Sequence, residues 1–267
     1  MNRRKIITLT TDFGERDAYV AEMKGVILRG NPSVSFVDIT HQIPPQDVVH
    51  ASLTLWRSYR HFPKGTLHLA IVDPGVGTER ALLIAQSSDY LFLAPDNGLL
   101  SPVVEELKRV SLYQISPIRV GVSPVFRTFH GRDIVASCAA KLSLGIPPKR
   151  LGKTVSSLKT LPIWKVSFRP SRLEGKILTE DHFGNLITNI QKRDYLRFKK
   201  EGKGKEVWVK AGKHLIKKLS KTYAEGGRGP LVLFGSAGLL ELALQKGNAA
   251  KTLSLRRGNP VVLTYGR

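Results

Sequence analysis

The chain has 267 residues, of which 42% are hydrophobic, so it can bury a substantial core in one or two domains. Its net charge of +21 makes nucleic acid or an anionic surface a default partner. The densest basic stretch, Lys192–Lys221, carries no recognisable nucleic-acid-binding motif and favours a solvated face instead. No apolar run approaches the roughly 20 residues of a membrane span. The single cysteine, Cys138, excludes an internal disulfide, and no Cys/His spacing resembles a zinc site. We therefore expect a cytoplasmic, metal-free protein with no specific nucleic-acid partner and no membrane segment.

The first half of the chain alternates strands with helices. Apolar runs typical of strands alternate with segments whose apolar residues recur at helical spacing. The predicted strands cover residues 5–11, 34–37, 67–72, 82–86 and 90–93, and the predicted helices cover residues 16–29, 46–62, 99–107 and 131–144. This alternation predicts an α/β N-terminal domain, residues 1–168, with a mainly parallel sheet and flanking helices.

The second half has a different pattern. From Arg172 onward, short alternating runs are separated by turn signals, and no long helix is predicted between them. This pattern is typical of a small antiparallel sheet or barrel. We therefore expect a smaller antiparallel β domain, barrel-like, over residues 172–267.

Aspartates follow the predicted strands of the first half. Asp12, Asp38 and Asp73 end three of the strands, and Asp96 follows a fourth. Ligands of open parallel sheets bind outside the carboxyl ends of the strands. Neither of the common glycine-rich phosphate loops is present. The pattern favours a nucleoside-like ligand that carries positive charge.

The segment Asp73–Arg80 connects two apolar runs and allows two interpretations. It could be an ordinary hairpin loop, in which Asp73 caps a turn and Arg80 pairs with Glu79. Alternatively, its glycines let the backbone approach a small ligand, and its carboxylate and guanidinium belong to a site. The aspartates at the other strand ends favour the second interpretation.

Six short motifs follow one another along the chain. They are TTDFG at 10–14, VDITH at 37–41, VDPGVGT at 72–78, APDNG at 94–98, FHGRD at 129–133 and FGN at 183–185. In this order they resemble the S-adenosyl-L-methionine (SAM) hydroxide adenosyltransferases, which hydrolyse SAM to adenosine and methionine and are related to the fluorinase and chlorinase. The resemblance implies an α/β domain followed by a β domain, with SAM as substrate and no cofactor. It also implies a homotrimer whose sites lie between one subunit's N-terminal domain and its neighbour's C-terminal domain.

The resemblance assigns the chemistry to Asp73, Arg80 and His130. Water attacking the ribose C5′ displaces methionine from a sulfonium, a leaving group that needs no acid. The difficulty is the nucleophile, because water has a pKa near 15.7. Arg80 would stabilise developing hydroxide, His130 would take a proton, and Asp73 would orient the histidine or the water. The alternative interpretation of His130 is a residue that caps the helix beginning at Gly131.

The resemblance also implies substrate contacts. Asp12 would bind the ribose hydroxyls, and Asp17 would lie near the methionine end. The contacts implied in the C-terminal domain are Asp181, Phe183 and Asn185 for the adenosine and amino-acid part, Ser236 and Glu241 for the methionine carboxylate and ammonium, and Ala249 for the adenine. Phe183 could equally be a core residue of a turn. Gly235 and Leu239 stand where the family usually has Asn and an aromatic residue, which bears on affinity.

Two other functions remain open. The first is a SAM-dependent halogenase, although those relatives carry Tyr where this chain has Asp73, and Tyr-Ser or Tyr-Gly where it has His130-Gly131. The second is a non-catalytic SAM-binding or nucleic-acid-binding protein. A binding module has no chemical need for the complete set of Asp73, Arg80 and His130, so hydrolysis is favoured.

Overall fold

The computed structural model describes residues 5–122, 128–227 and 229–266. The chain divides into two units, residues 1–161 and 162–267. Within the described ranges, no helix combines the length and the apolar character needed to cross a membrane.

The N-terminal unit is built on one sheet. Its strands are β1 (Lys5–Thr11), β2 (Val34–Thr40), β3 (Leu67–Ile71), β4 (Leu82–Gln86), β5 (Leu91–Pro95), β6 (Ser111–Ile115) and β7 (Gly152–Val155). Its α-helices are α1 (Tyr19–Gly30), α2 (Val48–Ser58), α3 (Ser101–Leu107), α4 (Pro117–Val120), α5 (Ser137–Ser143) and α6 (Pro148–Leu151). A 3₁₀ turn, Tyr59–His61, follows α2, and a π-helical turn, Gly131–Ala136, leads into α5.

This sheet is mixed, so the expected mainly parallel arrangement is only partly confirmed. The strand order is β2-β1-β3-β5-β4-β6-β7. Strand β1 is parallel to β2 and β3, and β3 is parallel to β5, whereas β4, β6 and β7 add antiparallel pairs. The reason lies in the short connection Ser87–Tyr90, which is closed by a hydrogen bond from the Ser87 N–H to the Tyr90 carbonyl (3.0 Å). A turn this short can join only antiparallel strands.

Helices α1 and α5 pack together over the core of the N-terminal unit. All five residues of β3 are buried, and Met23 and Ile27 of α1 belong to the same apolar cluster. A Cβ added at Gly30 would lie 2.7 Å from the Ala140 Cβ, so the glycine permits the close approach of α1 to α5. Cys138 is fully buried in this cluster, and burial raises the pKa of its thiol to about 12. It is a core thiol, as its apolar helical surroundings predict.

The C-terminal unit is an antiparallel, barrel-like sheet with two α-helices in its described residues. The strands are β8 (Ser167–Arg169), β9 (Arg172–Glu180), β10 (Leu186–Gln191), β11 (Val207–Ala211), β12 (His214–Ile216), β13 (Pro230–Phe234), β14 (Leu239–Leu244) and β15 (Pro260–Tyr265). The helices are α7 (Lys192–Glu201) and α8 (Ala249–Leu253), with 3₁₀ turns at Pro162–Trp164 and Tyr223–Gly226. The order β12-β11-β15-β9-β10-β14-β13, with β8 beside β9, is antiparallel throughout.

Helix α7, with ten residues, corrects the expectation that no long helix interrupts the second half. Its buried side is narrow and consists of Tyr195 and Phe198, and most of its other residues are charged, so few apolar residues mark the helix in the sequence. Its first turn is fixed by a capping box between Gln191 and Asp194.

All twelve basic residues between Lys192 and Lys221 are exposed, as expected for a solvated face.

Candidate active site

The segment that follows β3 brings Asp73 and Arg80 together. The Asp73 carboxylate accepts the Gly75 N–H (3.2 Å), and the Thr78 hydroxyl donates to the Gly75 carbonyl (2.7 Å), so the chain curls back on itself. Arg80 Nε then donates to both Asp73 oxygens, at 2.9 and 2.7 Å, and Nη2 donates to Oδ2. The two side chains are only 7% and 10% exposed. Asp73 thus caps a turn, as the hairpin interpretation expects, but among the described residues Arg80 pairs with Asp73 and not with Glu79, which corrects the second part of that interpretation.

Asn97, which the sequence analysis does not single out, holds the start of this segment in place. Its side-chain amide donates to the Val72 carbonyl at 2.8 Å, directly before Asp73. The Asn97 side-chain oxygen in turn accepts the Leu99 N–H at 3.2 Å. The signal for this contact is the motif APDNG at 94–98, because an Asn at a strand end can bridge to a neighbouring backbone.

The charges of Asp73 and Arg80 both act on the imidazole of His130. Burial lowers the pKa of its imidazole, and the Arg80 charge lowers it further, while Asp73 and Asp133 oppose the change. The imidazole Nδ1 is buried and has no hydrogen-bond partner among the described residues. His130 occupies the N-cap position of the helical turn that begins at Gly131, as the capping interpretation expects, but its side chain makes no capping hydrogen bond there. A neutral imidazole with an unpartnered nitrogen can accept a proton.

Gly131 fixes His130 next to the end of β3. A Cβ on Gly131 would lie 3.5 Å from Ile71 Cγ2 and 3.5 Å from Met23 Sδ. Ile71 is two residues before Asp73, so this close packing places His130 beside the strand end that carries the pair. The structure thus brings together the three residues to which the resemblance assigns the chemistry.

Asp12 lies at the same edge of the sheet. Strands β1 and β3 are parallel neighbours with Thr11 opposite Ile71, so Asp12 follows β1 at the level of Val72, one residue before Asp73. Its Oδ2 accepts the Gln46 N–H at 2.8 Å. Its Oδ1 makes no hydrogen bond to any residue the structure describes, which leaves a carboxylate oxygen for a ligand.

An aromatic cluster connects the loop after β1 with the segment before His130. The rings of Phe13, Tyr19 and Phe129 have centroid separations of 5.8, 5.6 and 5.2 Å. Asp17 lies between Phe13 and Tyr19 on the exposed turn before α1. The cluster holds the TTDFG and FHGRD motifs together, a role that their separate positions in the sequence do not reveal.

The other two strand-end aspartates have structural partners. Asp38 pairs with Lys24 at 2.6 Å and lies 3.2 Å from His41 Nε2. Burial raises the pKa of Asp38, but Lys24 and His41 outweigh burial and lower it overall. Asp96 accepts the Lys159 N–H at 2.7 Å. In the described part of the chain, no group of three or more His, Cys, Asp or Glu residues could hold a metal ion.

In the C-terminal unit, Asp181 builds the turn that presents Phe183. Its Oδ1 accepts the N–H groups of Phe183 (2.9 Å) and Asn185 (2.8 Å), and its Oδ2 accepts the Asn185 amide (2.9 Å). Phe183 is 72% exposed, so it is not a core residue of this unit. The Gly184 carbonyl accepts the Ala250 N–H at 3.0 Å, which places Ala249 beside the same turn.

Glu241 of β14 is almost completely buried and lies across from Ile187 of β10. It accepts a hydrogen bond from the Tyr223 hydroxyl at 2.9 Å. A Cβ at Gly235 would lie 1.8 Å from Glu241 Oε1, so the glycine leaves room for this carboxylate. Ser236 is exposed in the turn that follows Gly235. Sequence comparison alone marks Gly235 as a departure, whereas the structure gives it a steric reason.

Comparison with known proteins assigns the chain to a family. Family models for the SAM hydroxide adenosyltransferase N-terminal and C-terminal domains match residues 7–152 and 175–262. A Thermus thermophilus protein named (R)-S-adenosyl-L-methionine hydrolase is 38% identical over 95% of this chain and 97% of its own length. A fluorinase from Actinoplanes sp. is 30% identical over 98% of each chain.

A solved structure supports the same relationship. The crystal structure of an uncharacterised conserved protein from Thermotoga maritima superposes with a TM-score of 0.86 at 36% identity, covering 97% of this chain and 99% of that one. Together with the matches to both domain models, this shows that the chain belongs to the SAM hydroxide adenosyltransferase family.

Proposed function

We propose that this protein is an enzyme that cleaves SAM with water, giving adenosine and L-methionine. The family and the hydrolases related to this chain support the reaction. The observation that most supports the proposed chemistry is the environment of His130. Its Nδ1 is buried and has no hydrogen-bond partner among the described residues, and the charges of Asp73 and Arg80 act on its imidazole.

The reaction forms one bond and breaks one. A water oxygen bonds to the ribose C5′ as the C5′–S bond breaks, and that bond's electron pair stays on the sulfur of methionine. The sulfonium charge is thereby lost, and the water gives up one proton. Positioning the water in line with the C5′–S bond supplies a large part of the rate acceleration.

His130 is the general base in this proposal, because its lowered pKa keeps it neutral near pH 7. Arg80 stabilises negative charge that develops on the water. Its Nε and Nη2 are engaged by Asp73, while its Nη1 donates no hydrogen bond to the described residues. Asp73 therefore acts chiefly by fixing the plane of the guanidinium.

The remaining residue assignments are part of the same proposal. Asp12 binds the ribose hydroxyls, and Asp17 lies near the methionine end. Residues of the C-terminal domain bind the rest of SAM: Asp181, Phe183, Asn185, Ser236, Glu241 and Ala249. Asp181 contributes by shaping the turn, because both of its carboxylate oxygens are already bonded within it.

We further propose a homotrimer with its sites at subunit interfaces, a cytoplasmic location and a reaction without a cofactor. The family resemblance supports the assembly and the cofactor-free chemistry. The single, buried cysteine supports a reducing compartment.

One assay tests the reaction. Purified protein is incubated with SAM in H₂¹⁸O, and the products are separated by liquid chromatography with mass detection. We expect methionine without label and adenosine with one ¹⁸O at C5′, formed equally well without halide. Label in methionine, or no turnover, would overturn the proposal.

The halogenase alternative is tested in the same assay by adding chloride or fluoride. The Asp73 carboxylate is paired with Arg80, so charge repulsion from Asp73 alone does not exclude a halide. The general base decides between the two reactions, because a halide needs no deprotonation and water does. Formation of 5′-halo-5′-deoxyadenosine as the main product would establish the halogenase instead.

A further inference from the structure

The VDITH motif at 37–41 has no part in the proposed reaction, yet it ends β2 beside the strand that carries Asp12. His41 is 4% exposed. Its Nδ1 lies 2.8 Å from the Thr11 hydroxyl, and its Nε2 lies 3.2 Å from Asp38 Oδ1. Asp38 is itself paired with Lys24 at 2.6 Å, so the hydrogen bond to Thr11 fixes the imidazole on its Nδ1 side and a paired carboxylate lies beside its Nε2.

The contacts of His41 lie on both sides of Asp12 in the chain. Before Asp12, the Thr11 hydroxyl bonds to the imidazole and also accepts the Phe13 N–H at 3.3 Å. After Asp12, the Gly14 N–H donates to the His41 carbonyl at 2.8 Å. The backbone that presents the Asp12 carboxylate is therefore attached to one residue at two points.

The segment that follows His41 completes the support. The Ile43 N–H contacts the Thr11 carbonyl at 3.4 Å, and the Gln46 N–H holds Asp12 Oδ2 at 2.8 Å. With Oδ2 engaged, the direction of Oδ1 depends on the position of this backbone. Small displacements of the loop would change which hydroxyls Oδ1 can reach.

We propose that His41 is a positioning residue that orients the Asp12 carboxylate for the ribose hydroxyls of the substrate. This inference rests on the proposed function, because it takes Asp12 as the ribose ligand. His41 acts through Thr11 and the loop 12–14, and it does not touch the ligand.

The test compares the binding of adenosine and 2′-deoxyadenosine to the full-length protein by calorimetry. We expect the parent to prefer adenosine by about tenfold or more, the value of a hydrogen bond to a charged group. His41→Leu should remove most of this preference, as Asp12→Ala does. His41→Asn, which can still bond to Thr11, should retain most of it.

His68 supplies a matched control. It is also a fully buried histidine whose Nδ1 lies 2.8 Å from a threonine hydroxyl of β1, that of Thr8, but it lies away from the Asp12 loop. His68→Leu should lower the melting temperature and leave the adenosine preference unchanged. If His41→Leu does not fold, Thr11→Val removes the same link and should show the same loss.

The inference is overturned if a folded His41→Leu or Thr11→Val variant keeps the full preference, or if His68→Leu loses it equally. It is also overturned if the parent shows no preference. Because the readout is binding, its failure is distinguishable from failure of the proposed function. A parent that does not cleave SAM, but whose adenosine preference depends on His41, would refute only the hydrolase proposal.

Discussion

Arg80 Nε donates to both carboxylate oxygens of Asp73, although the two residues lie seven positions apart in the sequence. A bidentate pair this poorly exposed depends on the planar guanidinium, which a lysine cannot reproduce. We therefore expect Arg80→Lys to lower kcat by about 10²- to 10³-fold, in the range of a lost transition-state donor. Steady-state kinetics with SAM measure the effect.

The same substitution at Arg29, an exposed arginine in the last turn of α1, serves as the control and should change nothing. Asp73→Asn combined with Arg80→Lys should lose much less than the product of the two single effects, because the residues act as one unit. Strictly multiplicative losses would mean that each residue acts independently of the other.

The pKa of His130 should set the position of the acid limb in the pH–rate profile. A base must be neutral, so kcat falls as the pH drops through the pKa of His130. Burial and the Arg80 charge lower that pKa. The limb should therefore lie below about 6.5, the ordinary histidine value. His130→Ala should lose about 10²- to 10⁴-fold in kcat and lose the limb.

Removal of a neighbouring charge should move this limb in a known direction. Asp133 raises the pKa of His130, so Asp133→Asn should move the limb to lower pH. Arg80→Gln removes a positive charge and should move it to higher pH in whatever activity remains. A limb that stays in place in both variants belongs to another group.

Much of the N-terminal site can be predicted because its residues occupy short segments whose pattern is visible in the sequence. Strand ends, glycine positions and the spacing from Asp73 to Arg80 are all visible in the sequence. The aspartates show the limit of such reasoning, because four strand-end carboxylates look alike there. Lys24 and the Lys159 N–H, both remote in sequence, engage Asp38 and Asp96 in the folded structure. The sequence gives no sign of which carboxylates tertiary contacts will occupy.

The sheet and helix α7 show the same limit. A four-residue turn makes β4 and β5 antiparallel neighbours. The apolar patterns of the two strands are equally compatible with a crossover connection, which would make them parallel. Helix α7 buries only Tyr195 and Phe198, so few apolar residues mark it in the sequence, and the packing of these two side chains in the C-terminal core stabilises it.

Phe183 should matter for binding and hardly at all for stability. Because it is 72% exposed, Phe183→Ala should change the free energy of unfolding by less than about 0.5 kcal/mol. If it packs on the substrate, SAM affinity should fall about tenfold or more. His182→Ala removes the neighbouring exposed ring and is the matched control. Equal affinity in the parent and Phe183→Ala would exclude the contact.

Asp181→Ala, in contrast, should lower both affinity and stability, because three hydrogen bonds of the turn are lost.

Gly235 should be intolerant of even one added carbon. In Gly235→Ala the new Cβ would lie 1.8 Å from Glu241 Oε1, so the buried carboxylate must leave its position beside the Tyr223 hydroxyl. If Glu241 binds the methionine ammonium, KM for SAM should rise by about tenfold or more while kcat changes little, because the reacting atoms are untouched. Gly229→Ala is the control, because a Cβ there meets no atom within 4 Å. A rise in KM shared by both variants, or a fall in kcat alone, would mean that Glu241 does not bind the methionine part of the substrate.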